Sequence, residues 1–346
     1  MQGNITRQNS KIMLMYKINK MTKNLKSVQI PEYGVTQPLI ESMPRTNEEI
    51  GMGYSGRFEI GNQDIATVSV EVRAGKEEGG NEDRFSINPE DGIYGVFDGA
   101  SGLTSLNENA RETLGLTGGA VASSILAVEM AKPSNQSLRE RILSANQRIG
   151  AAFEEFVTDS NEVTDRFCTT AGVVRVKEGQ IEIVCIADTP VILIKSDGTF
   201  EMPVANFDQD VESLRLLDSL VMGEGLSHDE AMGDPRMKAQ LLKKRGEQNQ
   251  TYGVLNGQAE VEGHIRTASV SSEGVESILI FSDGLIPPAQ PGEEPDWQLV
   301  VDAYIRGGEA EVLSTIRGIE DADPDCIAYP RFKKHDDSAI LGIRLQ

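Results

Sequence analysis

The chain has 346 residues, 39% apolar and 5% aromatic, enough to bury one substantial core without requiring a second domain. Its 33 Lys and Arg against 54 Asp and Glu leave a net charge of −21, which repels nucleic-acid phosphates and anionic membranes, so neither is expected as a partner. Three cysteines without a CxxC pairing, no apolar run of membrane-spanning length and no secretory leader pattern predict a reducing, cytoplasmic setting.

Residues 1–31 carry Arg7, Lys11, Lys17, Lys20, Lys23 and Lys26 and no acidic residue, so residues 1–60 read as a flexible basic extension preceding a domain over 61–346. The run IATVSVEV (65–72) alternates as a half-buried strand, and a glycine-bearing loop leads to Arg84–Ile87, which predicts a hairpin. Gly92–Phe97 reads as a buried strand halted at Asp98-Gly99. Helices are predicted over Asn107–Met130 and Ser137–Val157, the second with Leu138, Ile142, Ala145, Ile149 and Phe153 on one face, both packing on a sheet. Strands at Cys168–Val176, Ile181–Ala187 and Val191–Lys195 predict an antiparallel meander closed by the turn Ser196-Asp197-Gly198. Residues 201–272 are polar and mixed, with a helix around His228–Lys244, and read as a flap-like insertion. The strand Ser277–Phe281 runs into Asp283-Gly284, a helix follows at Asp296–Ile316, and Asp336-Asp337 precedes the last strand, Ser338–Ile343.

An acidic corner therefore recurs beside buried strands: Glu82-Asp83, Asp98-Gly99, Asp283-Gly284 and Asp336-Asp337. Any one Asp-Gly is a common turn dipeptide, and it is the repetition that marks these. If the strands are neighbours in a sheet, the carboxylates meet at one edge, where burying like charges demands cations. Oxygen ligands suit Mg²⁺ or Mn²⁺, whereas zinc draws on histidine and cysteine. Two such ions roughly 3.5–4 Å apart lower the pKa of a bridging water and offset charge in an in-line phosphoryl displacement. His228, His264 and His335 form no hydrolase arrangement and no GxSxG surrounds a serine, so a covalent nucleophile has no candidate.

The segments NEDRFS (81–86), GVFDGASG (95–102), CTTAG (168–172), IADTPVILIKSDG (186–198), FSDGL (281–285) and DDSAI (336–340) occur in the order expected of PPM-type, metal-dependent serine/threonine protein phosphatases. The chain resembles a bacterial-like member of that family over about residues 61–346. The resemblance implies an α+β fold, a four-layer α-β-β-α sandwich of two mainly antiparallel sheets flanked by helices, with a two-metal centre in the cleft. It implies hydrolysis of a phosphorylated protein substrate at phosphoserine or phosphothreonine by a water activated by two divalent cations, Mg²⁺ or Mn²⁺. Carried over by position, Asp98 bridges both metals, Gly99 offers its carbonyl, and Asp283 and Asp336 hold the other side, which makes these three aspartates catalytic. Glu82 and Asp83 act mostly through metal-bound waters. Asp188, in an Ala-Asp-Thr where the family commonly has Gly-Asp-Ser, is either structural or a ligand of a third, weaker metal.

The chain also departs from the pattern. Glu78 stands where many members have a phosphate-anchoring arginine, which leaves Lys76, Arg84 or water alone to meet phosphate. Ala100 stands where many eukaryotic members have a proton-donating histidine. These departures motivate a second reading, a weak or inactive pseudophosphatase that binds phosphoproteins as a scaffold. An aspartyl-nucleophile hydrolase is disfavoured because Val96 occupies the place of its first aspartate. Ser196-Asp197-Gly198 reads as a structural turn, Lys243-Lys244-Arg245 as a solvated helix end and Trp297 as a helix anchor. The sequence carries no sign of oligomeric state.

Overall fold

The alternating run Ile65–Arg73 forms strand β2, whose Val68, Val70 and Val72 enter an apolar layer, while Ser69 on the other face donates to Glu309 Oε1 at 2.7 Å. The computed structural model to which it belongs describes residues 54–59, 64–75, 81–100, 102–103, 116–156 and 163–346. Residues 1–53 of the expected basic extension lie outside them, but Tyr54–Glu59 forms β1 and pairs antiparallel with β2, so the folded part starts earlier than residue 61. The other strands are β3 (Arg84–Asn88), β4 (Ile93–Phe97), β5 (Gly99–Ala100), β6 (Cys168–Thr169), β7 (Ala171–Lys177), β8 (Gln180–Ile186), β9 (Val191–Lys195), β10 (Phe200–Glu201), β11 (Arg266–Ser271), β12 (Val275–Phe281) and β13 (Ser338–Leu345). The helices are α1 (Gly118–Ala131), α2 (Leu138–Phe156), α3 (Val211–Asp218), α4 (His228–Gly233), α5 (Pro235–Gly246) and α6 (Trp297–Ala322).

Two antiparallel sheets result, one in the order β1-β2-β13-β12-β9-β10 and the other β11-β8-β7-β4-β3. Their facing sides bury Val70, Tyr94, Val174, Ile183, Ile280 and Leu341 between them. Helices α1 and α2 cover the outer face of the second sheet through Leu126, Ile142, Ile149 and Phe153 against Phe97, Val173 and Val184. Helix α6 covers the outer face of the first through Trp297, Val301 and Ile316 against Leu279, Phe281 and Ile340. This is the α-β-β-α sandwich that the resemblance implied. Trp297 is buried, with its ring centroid 6.4 Å from that of Phe281, and anchors α6 as expected. The expected helix start at Asn107 falls partly outside the described residues, and α1 runs from a Thr117 cap whose hydroxyl accepts from Ala120 N at 3.2 Å.

Three expectations about connectivity are corrected. The runs at 65–72 and 84–87 do not form a hairpin: β2 is flanked by β1 and β13, and β3 pairs with β4 across a turn that ends at Gly92 with φ 66°. The meander stops after β7 and β8, because Ala187 at φ 58° redirects the chain into the opposite sheet, where β9 pairs with β12. The insertion is shorter than 201–272, since β11 closes an edge of the second sheet against β8. The helix expected around His228–Lys244 is two, separated where Pro235 opens α5 behind its Asp234 cap. Helices α3, α4 and α5, with the helical turn Ser219–Gly223 after α3, share a small core of Leu217, Leu220, Ala231 and Met237.

Candidate metal centre

Register places the acidic corners. Pairing of Arg84 with Phe97 sets Asp83 beside Asp98 at one end of the β3–β4 hairpin. Pairing of Phe281 with Ile340 sets Asp283 beside Asp336-Asp337 at the corresponding end of β12 and β13. These strands lie in different sheets, so the carboxylates meet between the sheets and not along one sheet edge, which corrects the expectation from sequence. Asp337 joins the two corners by accepting from Gly75 N and Glu82 N, each at 2.8 Å. The Asp98 carbonyl is fixed by Thr170 N at 2.8 Å and Thr169 Oγ1 at 2.7 Å, a positioning role for the CTTAG segment.

Both Asp-Gly glycines are steric necessities. A Cβ on Gly99 would stand 2.6 Å from the carbonyl of Gly119 and 2.7 Å from that of Glu82, and one on Gly284 would stand 1.9 Å from the Asp337 carbonyl. Glu82 is buried and accepts from the Thr117 hydroxyl, which puts it at the N-terminus of α1, the end that favours negative charge.

The electrostatics are those of crowded carboxylates. Burial first, then the charge of Asp337, pushes Asp83 well above the usual carboxylate range. Burial and Asp83 do the same to Asp98, and burial and Asp98 to Asp283. The Asp98 and Asp283 carboxyl groups come together from the two sheets, an arrangement of like groups that needs a proton or another cation between them. Asp337 is also raised by burial, against the opposing bonds from Gly75 and Glu82. Asp83 Oδ2 and Asp188 Oδ1 are buried without a hydrogen-bond partner among the described residues.

Asp188 sits where the chain crosses from β8 to β9, and burial raises it to about 6. It lines a cavity of about 360 Å³ with Asp208, Asp210, Asp283, Lys333 and Asp336. Asp208 and Asp210 escaped sequence reasoning because they adjoin no buried strand; burial and the charges of Asp188 and Asp208 raise Asp210 to about 7. Lys333 was missed too. Its Nζ lies 2.6 Å from Asp336 Oδ1, and although burial pulls the ammonium down, Asp336, Asp283 and Asp337 outweigh that and hold it above its ordinary value.

Arg84 is placed otherwise than a phosphate anchor requires. It is buried, its Nη1 donates to the carbonyls of Asn81 and Asp83 at 2.7 Å each, its Nε donates to Ser124 Oγ at 3.1 Å, and it does not line the cavity. Burial lowers it to about 10. Lys76 and Glu78 lie outside the described residues. Asp197 is exposed and accepts from Thr199 N at 2.9 Å and Thr199 Oγ1 at 2.6 Å, a turn closure away from the site. Arg245, read as part of a solvated helix end, is buried and reaches from α5 to donate from Nη2 to the Ala100 carbonyl at 3.1 Å, so it fastens the helical insertion to the loop after Asp98.

Among the described residues no group of three or more His, Cys, Asp or Glu side chains is spaced as a ready cage for an ion. The donor chemistry nevertheless fits a hard divalent cation: oxygens alone, mutually repelling, and including buried atoms on Asp83 and Asp188 that have no hydrogen-bond partner among the described residues.

No protein-family model and no curated protein matches the sequence. Solved structures do match. The serine/threonine phosphatase Stp1 from Staphylococcus aureus superposes with TM-score 0.50 at 15% identity, covering 81% of this chain and 94% of that one. The chain has the PPM-type phosphatase fold. The Mycobacterium tuberculosis serine/threonine phosphatase PstP/Ppp is similar with TM-score 0.48 at 16% identity over 81% of this chain and 98% of its own, and RsbX in complex with magnesium with TM-score 0.45 at 14% identity over 85% and 100%. Within this PPM-type fold, the carboxylates described above occupy one end of the interface between the two sheets.

Proposed function

We propose that the chain is a metal-dependent phosphatase of the PPM type, acting on phosphoserine and phosphothreonine in a protein substrate. The observation that carries this reading is the crowding of Asp83, Asp98, Asp283 and Asp337, carboxyl groups delivered from opposite sheets into one cluster in which all are pushed above the usual carboxylate range. A chain gains no stability from such crowding unless a cation resolves it. In this reading Asp98, Asp283 and Asp336 hold two ions, Mg²⁺ or Mn²⁺, with the Gly99 carbonyl, while Glu82 and Asp83 act through water and Asp188 serves a third. When bound, the ions supply Lewis acidity that activates water and offsets phosphoryl charge.

The chain's own residues do the rest. Thr169 and Thr170 fix the Asp98 backbone, Asp337 locks the two corners together, and the cavity beside Asp283 and Asp336 admits the phosphorylated side chain. The free, buried cysteines Cys168, Cys185 and Cys326 suit the cytoplasmic setting we assign, and no described helix is long and apolar enough to cross a membrane. Residues 61–346, together with β1, form the catalytic domain in this reading. Ala100 favours a second reading, the phosphoprotein-binding scaffold, because it can donate no proton to a leaving group.

Hydrolysis of an aryl phosphate and a phosphothreonine peptide, assayed with Mn²⁺, with Mg²⁺ and with chelator, decides between them. Turnover that requires metal and is lost in Asp283→Asn is expected. Absence of turnover with every metal, in folded protein, overturns the enzyme and leaves the scaffold.

A further inference from the structure

Among the basic side chains around the acidic cluster, most have their N–H groups engaged. Arg331 lines the cavity, but it donates to the Asp323 carboxylate and to the carbonyls of Tyr329, Glu320, Asp323 and Lys334. Arg317 donates to Glu320, to the Asp336 carbonyl and to the hydroxyl of Ser338 at the start of β13. Arg84 is held inside by Asn81, Asp83 and Ser124, and does not reach the cavity.

Lys333 differs. Its side chain lines the same cavity as Asp188, Asp283 and Asp336, retains 41% exposure, and has Asp336 Oδ1, at 2.6 Å, as its one hydrogen-bond partner among the described residues. An ammonium has three N–H donors, so one acceptor leaves capacity for phosphoryl oxygens. Its placement is also the right one: a phosphoryl group presented to Asp283 and Asp336 lies within reach of an ammonium already touching Asp336.

We infer that Lys333 anchors the phosphoryl oxygens of the substrate, a role that rests on the phosphatase reading above and that the arginine-free position Glu78 leaves open. The ion pair with Asp336 holds the ammonium at the cavity before substrate arrives. Were Asp336 to hold an ion, the Lys333 donors would be free for the phosphoryl group, which a lysine meets as a compact point charge.

The test uses the full chain with Mn²⁺, comparing Lys333→Met and Lys333→Arg with the unaltered protein. Steady-state hydrolysis of an aryl phosphate, inhibition by inorganic phosphate and calorimetric titration with Mn²⁺ are measured. Loss of a charge-assisted hydrogen bond raises KM and the phosphate inhibition constant about 10-fold or more in Lys333→Met, with kcat changing less and the arginine variant recovering most of the effect. Mn²⁺ affinity stays level or tightens, since a competing cation beside Asp336 is gone. KM and phosphate inhibition within about twofold of the unaltered protein would overturn the assignment, as would parallel loss of Mn²⁺ affinity or no recovery with arginine. If the unaltered protein shows no turnover, the phosphatase reading fails by itself, and calorimetric binding of inorganic phosphate to the Mn²⁺-loaded protein still decides on Lys333. Weaker phosphate binding by Lys333→Met upholds it; equal binding, or none by either protein, overturns it.

Discussion

Asp98 and Asp283 define the chemistry at the scale of single residues, because neither carboxylate is comfortable where the fold puts it. Desolvation and the charges of Asp188 and Asp336 raise both, Asp83 adds to the burden on Asp98, and Asp98 adds to that on Asp283. Asp98→Asn keeps the shape and removes one charge. It should lower metal-dependent turnover by about 100-fold or more, since even supporting residues of a metal site change activity by 10–100-fold. The same substitution should stabilise the metal-free protein by about 1 kcal/mol, by analogy with removal of other buried ionic groups. Calorimetric melting with and without Mn²⁺ reads both arms: a higher melting temperature without metal, and a smaller gain on adding it. An unchanged Mn²⁺ response would count against Asp98 as a ligand.

Among elements, the two short loops after β4 and β12 matter most, and their glycines explain how they pack. Gly99 lies against Gly119 at the first turn of α1, and Gly284 against the Asp337 carbonyl, closer than any Cβ allows. Gly99→Ala should therefore destabilise the fold by about 1–3 kcal/mol through overpacking, read as a lower denaturation midpoint with an unchanged slope. The Asp-Gly pairs were legible in the sequence as strand terminators, and the strands were legible as alternating or apolar runs. Their partners were not. A period of two tells which residues share a face but not which strand lies alongside, so the hairpin at 65–87 and the third strand of the meander were misplaced. Ala187, at φ 58°, is the residue that sends the chain across, and alanine gives no sequence signal for that conformation. Lys333, Asp208 and Asp210 stayed hidden for a related reason: they reach the cavity from irregular segments with no periodicity to place them.

For the molecule as a whole, the raised carboxyls make stability depend on pH in a definite direction. Asp188 is raised to about 6 and Asp210 to about 7, and Asp83, Asp98, Asp283 and Asp337 are raised as well, all by burial first. In the unfolded chain these groups ionise near about pH 4, so through the window from about 4 to 7 the folded state binds more protons than the unfolded one. Stability must then fall as pH rises through that window. The metal-free protein should melt higher at about pH 5.5 than at about pH 7.5, and the net charge of −21 acts in the same sense. Saturating Mn²⁺ should reverse the order, because the ions bind deprotonated carboxylates. Melting curves at both pH values, with Mn²⁺ and with chelator, check this; a metal-free protein more stable at the higher pH would contradict the acidic cluster as described.

The meeting of Gly99 with Gly119 has an evolutionary consequence. Carboxylates that serve an ion are free to drift once a lineage no longer needs the ion, and their loss would even relieve repulsion. The glycine pair has no such freedom, since it is what lets α1 settle on the loop after β4. A chain that lost its aspartates would keep the seat of α1, whereas one that gained a side chain at either glycine would lose it.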